Sequence, residues 1–338
     1  IVKGASKAMA SISELNSGGK RLGILKQVVS FGVESTKKFA KEIPEGGVHD
    51  VISNVVKAAV SSVHTAGVSE AERAEAVVAM VGSAVASIKD AAVSDDSARL
   101  ESMKAIVAAA VSSLAEAKLP TGTMTNVVSA IAESSIKNAS AAGLSQDVIV
   151  HAAKAVTAEA VSSATQLAQS AGIEEINVTE VSSSVVKNVV GALADAGVPK
   201  EALAATAAEV SAASIQALVD TGVDATVLNQ AKASVQESAT QGLASTGQLS
   251  QAEIDAAKKD IANKTESATS GNSAPEFSEI ADQTTFEDTS ASVTFTISDS
   301  DNEVKCSQVV AKAENEELIP NTKDNLIVSG GSGKICTL

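Results

Sequence analysis

The residues with the clearest chemical potential lie near the C-terminus. Asp299, Asp301 and Glu303 set carboxylate oxygens at alternate positions in a turn, and Glu287 with Asp288 can add more. Hard oxygen donors of this kind suit Ca²⁺, which gathers roughly six to eight of them. The run lacks the Gly and the distant bidentate Glu of a helix-loop-helix calcium loop, so the expectation rests on Asp299 and Asp301. Other chemistry is weaker. His49, His64 and His151 fall within helical segments and outside any metal-ligand or triad motif, which makes them surface or interface histidines. Ser329-Gly330-Gly331-Ser332-Gly333-Lys334 has the composition of a phosphate loop, but the earlier Gly is missing at the required distance and no helix-forming stretch follows, so a hairpin turn is expected. Asn138-Ala139-Ser140, Asn177-Val178-Thr179 and Asn263-Lys264-Thr265 match the glycosylation triplet, a pattern common by chance in a chain this rich in Ser and Thr. No catalytic residue is assigned, and an enzyme is the least expected class.

Composition narrows the partners. The 338 residues include no Trp, no Tyr and five Phe, yet 44% are hydrophobic, so any core is built from Ala, Val, Ile and Leu. Aromatic rings dominate ligand pockets, single-strand nucleic-acid platforms and interface hot spots, and this chain has few to offer. A formal charge of −15 and a pI near 4.7 repel phosphate backbones and anionic lipid. Nucleic acid is therefore not an expected partner. No run reaches the ~18 apolar residues of a membrane span, because Ser, Lys, Glu or Asp interrupts each one, and membrane insertion is not expected. The chain begins at Ile1 without a visible charged-then-apolar leader, which reads as a processed or cut product.

The elements that must position these groups follow from an internal repeat. Ala66-Gly67-Val68, Ala142-Gly143-Leu144, Ala171-Gly172-Ile173, Ala196-Gly197-Val198 and Thr221-Gly222-Val223 share one punctuation signal, with degenerate copies at Ala92 and Lys118 and a further one at Gly247. Positions 67, 92, 118, 143, 172, 197, 222 and 247 are separated by 25, 26, 25, 29, 25, 25 and 25 residues. Glycine suits the left-handed position after a helix, and Ser69, Ser145, Pro199 and Asp224 suit the start of the next. Each unit is thus one helix and a short turn, and the step of 29 fits one extra turn around Gln166-Leu167-Ala168-Gln169. Val178, Val185 and Leu193 recur as Leu203, Val210 and Leu218 and again as Leu228, Val235 and Leu243, with an earlier copy at Val48, Val55 and Val63. Steps of seven and eight keep all three on one helix face. Such helices must bury their stripes on one another, either as an elongated stack of hairpins, the favoured reading, or as bundles in series. Residues 1–41 form a less regular basic helical segment, with Lys3, Lys7, Lys20, Arg21, Lys26, Lys37, Lys38 and Lys41 against Glu14 and Glu34. The repeat array occupies 42–265 and a linker 266–275, the helical pattern dissolving near Asn263.

In 276–338 the hydrophobic period changes to two. Val293, Phe295 and Ile297 alternate with polar residues, and the stretches 307–313 and 326–328 follow between turn signals. The expected fold class is therefore α+β and multidomain, an antiparallel array with about 25 residues per helix followed by a small β-sandwich. Asn272-Ser273-Ala274-Pro275, Ile280-Ala281-Asp282-Gln283, Glu287-Asp288-Thr289, Phe295 through Asp301 and Leu318-Ile319-Pro320-Asn321 resemble the cadherin-like or immunoglobulin-like tandem repeats of large bacterial surface proteins and adhesins. The resemblance covers residues 272–338. It implies an extracellular β-sandwich with structural or adhesive work, and Ca²⁺ at module junctions. Such domains continue past the segment resembling Ile335-Cys336-Thr337-Leu338, so this one is either cut short or completed by a strand from another subunit. Cys306 and Cys336 both lie here. If paired they would close a loop of about 30 residues, worth ~3 to 4 kcal/mol in the chain-entropy model; in a reducing compartment they would be two buried thiols. The extracellular character of the segment favours the disulfide.

The leading expectation is a secreted bacterial structural protein: a subunit of an extracellular filament, sheath or adhesin stalk that assembles with itself. The alternative is an adhesin fragment that binds a cell-surface ligand. A lipid-surface coat is a third reading, opposed by the acidic charge and the absence of Trp.

Overall fold

Leu25, Val29 and Val33 recur every fourth residue and are fully or almost fully buried, which fixes the inward face of the first helix, α1 (Lys20–Glu34). The same logic generates α2 (Gly47–Ser62), α3 (Arg73–Ala86), α4 (Asp96–Ser112), the single turn α5 (Leu114–Ala117) and α6 (Met124–Lys137). It continues through α7 (Gln146–Ala171), α8 (Val178–Ala192), α9 (Lys200–Asp220), α10 (Ala225–Ser245) and α11 (Gln251–Ser270). The computed structural model describes residues 20–39, 42–43, 47–93, 95–120, 122–171, 176–270, 276–277, 292–298, 328 and 335–337. The chain divides into two compact units, Ile1–Ala268 and Thr269–Leu338.

In the first unit the helices pack repeat-like in two layers. The most extensive contacts join each helix to the next but one. One layer runs α1, α3, α6, α8, α10, and the other runs α2, α4, α7, α9. A helix thus has like neighbours within its layer and sequence neighbours across the core between layers, the arrangement of an α-solenoid of hairpins. Val63, Val185, Leu193, Leu203, Val210, Leu218, Val235 and Leu243 are all buried in that core.

Small residues let the layers close. In α10 a Cβ on Gly242 would stand 2.8 Å from the Lys187 carbonyl oxygen of α8, and in α3 a Cβ on Gly82 would stand 2.6 Å from Ser134 Oγ of α6. Buried hydroxyls are satisfied within their own helices: Ser113 donates to Ala109 O (2.6 Å), Ser135 to Ile131 O (2.8 Å) and Ser211 to Ala207 O (2.7 Å). A Ser in this core therefore fills the space of a small apolar residue without stranding a polar group.

The turns bear out the punctuation in detail. Gly67, Gly143, Gly197, Gly222 and Gly247 all have positive φ, between 66° and 87°. At the degenerate copy the same conformation falls on a lysine, Lys118, with φ 49°. Helix starts carry the expected caps: Asp224 Oδ1 accepts from Thr226 N (2.9 Å) and Val227 N (3.1 Å), and Asp95 Oδ1 accepts from Ala98 N (2.9 Å).

Two expectations need correction. The helical pattern does not stop near Asn263; α11 runs on to Ser270, because Ile254, Ala257, Ile261 and Thr265 keep a buried face through that stretch. More importantly, the α+β fold class with an immunoglobulin-like β-sandwich is overturned. The described residues of the second unit form one antiparallel ladder, β1 (Glu276–Phe277), β2 (Thr294–Ser298) and β3 (Ile335–Thr337), in the order β1-β2-β3. Its register pairs Phe277 with Ile297 and Phe295 with Cys336. A sandwich needs two sheets face to face, whereas here β1 takes one end of β2 and β3 the other, and among the described residues no second sheet covers them. Alternation along β2 holds for the residues whose side chains are described: Phe295 is 4% exposed while Thr294 is exposed. Period-two patterning marks a strand, but it cannot count the sheets that strand joins. The chain is predominantly helical.

Candidate functional site

The residues first expected to do chemistry are not gathered in a described site. Asp299, Asp301, Glu303, Glu287 and Asp288 lie outside the described residues, as do Cys306 and the 329–334 turn. Cys336 sits in β3, opposite Phe295. Among the described residues no group of three His, Cys, Asp or Glu side chains is placed to hold a metal ion.

The histidines separate into three environments. His49 Nδ1 is 2.9 Å from Ser102 Oγ, joining α2 to α4. His151 is exposed and sits 3.0 Å from the Asp147 carbonyl of its own helix. His64, after α2, has a buried Nδ1 without a hydrogen-bond partner. Burial lowers its pKa first, and the neighbouring Lys118 and Arg73 cations lower it further, so the ring is held neutral. Of the glycosylation triplets, Asn177 caps α8 by accepting from Glu180 N, and Asn138 donates to Ser134 O at 2.8 Å. Both amides serve the helical framework.

The largest concave feature is a groove of about 670 Å³ on the outer side of the layer holding α4, α7 and α9, with α11 as its far wall. Ala155 and Ala158 of α7 and Ala212, Ala213 and Ala217 of α9 form its floor. Alanine at these positions follows from the repeat, since the larger anchors of both helices point to the core between layers. Across the floor runs a chain of ion pairs. Glu209 of α9 accepts from Lys154 of α7 at 2.8 Å and from Lys264 of α11 at 2.6 Å. The two lysines, Lys154 first, pull the Glu209 carboxyl below its ordinary pKa. Lys104 of α4 continues the row and pairs within its own helix with Glu101 at 3.1 Å.

Sequence reading passed over these residues because each alone resembles a solvated helix face. Their spacing carries the signal: 104, 154, 209 and 264 are separated by 50, 55 and 55, two repeats each, which puts one on every second helix. The arrangement offers an open, non-aromatic cradle with fixed charges, suited to contact with another polypeptide more than to enclosing a small molecule.

No family model matches the chain, and no curated protein matches it. Among the described residues one helix, α9, is long and apolar enough to cross a membrane by composition, but Leu203, Val210, Ile215 and Leu218 bury much of it in the array.

Proposed function

We propose that the chain is a structural protein, a stiff helical spacer in an extracellular assembly at a bacterial surface. The observation that carries this reading is the regular cross-bracing of the array. The chain's three arginines all reach from the start of one helix to the left-handed turn that ends an antiparallel neighbour. Arg21 donates to the Ala66 carbonyl at 3.1 Å and to that of Gly67, Arg73 to that of Lys118 at 2.5 Å, and Arg99 to that of Gly143 at 3.0 Å. A guanidinium on an otherwise unmet helix-end carbonyl stiffens the turn between helices, which a load-bearing spacer needs. Self-association is supported by the position of the large apolar side chains left exposed among the described residues, Phe31, Phe39 and Val51, all at the first two helices. The opposite end closes with α11, whose outward positions include Asp255, Lys258 and Lys259. The surface location rests on the sequence likeness of residues 272–338 to surface-protein repeats, and the same likeness supports Ca²⁺ at Asp299 and Asp301. Electron microscopy and sedimentation of the full chain, with and without calcium, test the reading. Ordered polymers are the expected outcome; a strict monomer at high concentration with calcium present overturns it.

The groove favours a second reading, an adhesin fragment that binds a cell-surface ligand. Ala213→Trp would fill the floor, so it should abolish adhesion of the full chain to cells while leaving polymers intact. Unchanged adhesion would remove the groove from consideration.

A further inference from the structure

The last helix is attached differently from the rest. Alone among the eleven helices, α11 has no extensive backbone contact with another. Its buried side chains, Ile254, Ala257, Ile261 and Thr265, make a seam of two large aliphatic residues, whereas α9 buries Leu203, Val210, Ile215 and Leu218 along with smaller neighbours. What α11 has instead is charge. Glu253 pairs with Lys200 of α9 at 3.0 Å, Lys264 with Glu209 of α9 at 2.6 Å and Glu266 with Lys232 of α10 at 2.9 Å. Gln236 of α10 adds a hydrogen bond to Thr265 Oγ1 at 2.7 Å.

We propose that α11 is a latch, a helix held to α9 and α10 chiefly by ion pairs, which releases as one cooperative unit while the rest of the array stays folded. Exposed ion pairs contribute only ~0.2 to 1 kcal/mol each and are screened by salt, so three of them over a short seam leave α11 at the low-stability end of the molecule. The same helix supplies Lys264, Ser267 and Ala268 to the wall of the groove. Its release opens the groove along one side and frees Glu209 from one of its two lysines. Ionic strength, or a charged partner competing for Lys200 and Lys264, therefore sets the groove's width.

Hydrogen exchange on the full chain tests this directly. Peptides from α11 should exchange through an opening at least about a hundredfold more frequent than that of α9, and raising NaCl from ~0.02 to ~0.5 M should increase it about tenfold. The double variant Lys200→Gln with Lys264→Gln should open at low salt as often as the wild type does at high salt, and should lose most of the salt response. Ile254→Ala serves as the contrast: it weakens the apolar seam, so opening rises while the salt response persists. Protection of α11 equal to that of α9, or a wild-type opening insensitive to salt, overturns the proposal.

Discussion

Arg99, in the first turn of α4, donates from Nη1 to the carbonyl oxygen of Gly143 at 3.0 Å, closing a span of 44 residues. The same Nη1 lies 3.0 Å from Asp96 Oδ1, and Asp96 Oδ2 accepts from Ser145 Oγ at 2.9 Å. The ring of contacts thus grips the left-handed turn after α6 on both sides of Leu144. Arg99→Met keeps the aliphatic stem but leaves the Gly143 carbonyl unmet, and should cost about 1 to 2 kcal/mol in urea unfolding. Arg99→Lys should recover less than half of that, because one ammonium cannot reproduce the fork that serves Asp96 and Gly143 together. Full recovery by lysine would show that charge alone matters at this brace.

The turn at Lys118 offers the opposite test. A side chain at φ 49° bears a left-handed strain of ~1 to 2 kcal/mol, partly offset in Lys118→Gly by the larger entropy of an unfolded glycine. Arg73 bonds the carbonyl of this residue and is not disturbed by the exchange. Lys118→Gly should therefore raise stability by about 0.5 to 1 kcal/mol, read as a higher thermal midpoint. Gly143→Ala, at φ 84°, should lower it by a similar or larger amount.

Two helical glycines should respond with opposite signs to the same substitution. At Gly242 a Cβ would sit 2.8 Å from a backbone oxygen, that of Lys187, and 2.9 Å from Val190 Cβ, so α8 and α10 would have to separate. Gly242→Ala should cost about 2 kcal/mol or more. Gly23, on α1, has nothing within 4 Å of that position. There Gly23→Ala should stabilise by up to about 1 kcal/mol through helix propensity alone. Equal effects in calorimetry would mean that close approach between α8 and α10 is not what the glycine provides.

These residues also mark how far the sequence could be read. Glycine stops and aliphatic anchors are local signals, and they located the turns at Gly67 and Gly197 and the buried stripe through Leu203, Val210 and Leu218. Which helices touch is not local: a 25-residue period is equally compatible with bundles in series, and only packing of each helix on the next but one distinguishes the array. Arg99 with Gly143 and Lys154 with Glu209 escaped for the same reason, since their partners lie 44 and 55 residues away. The sandwich failed because alternation at Val293, Phe295 and Ile297 describes one strand's two faces and carries no information on whether a second sheet lies over either.

Acid should loosen the α9–α11 junction before it affects the aliphatic core. Glu253 accepts from Ser250 N and Ser250 Oγ, both at 2.7 Å, and from Lys200 at 3.0 Å. Those donors, the Ser250 backbone N–H first, pull its carboxyl from an ordinary 4.5 down to about 2. A carboxyl depressed in the folded state contributes its stability fully above its unfolded value and loses it as protons bind to the native form. The contribution should therefore be intact above about pH 4.5 and fade as pH falls toward about 2. Glu253→Gln removes it at every pH, so the variant should be less stable than wild type at neutral pH and converge with it near pH 2. Urea midpoints followed across that window check the sign: a constant gap between the two proteins would mean that the Ser250 and Lys200 contacts do not discriminate the carboxylate from the neutral amide.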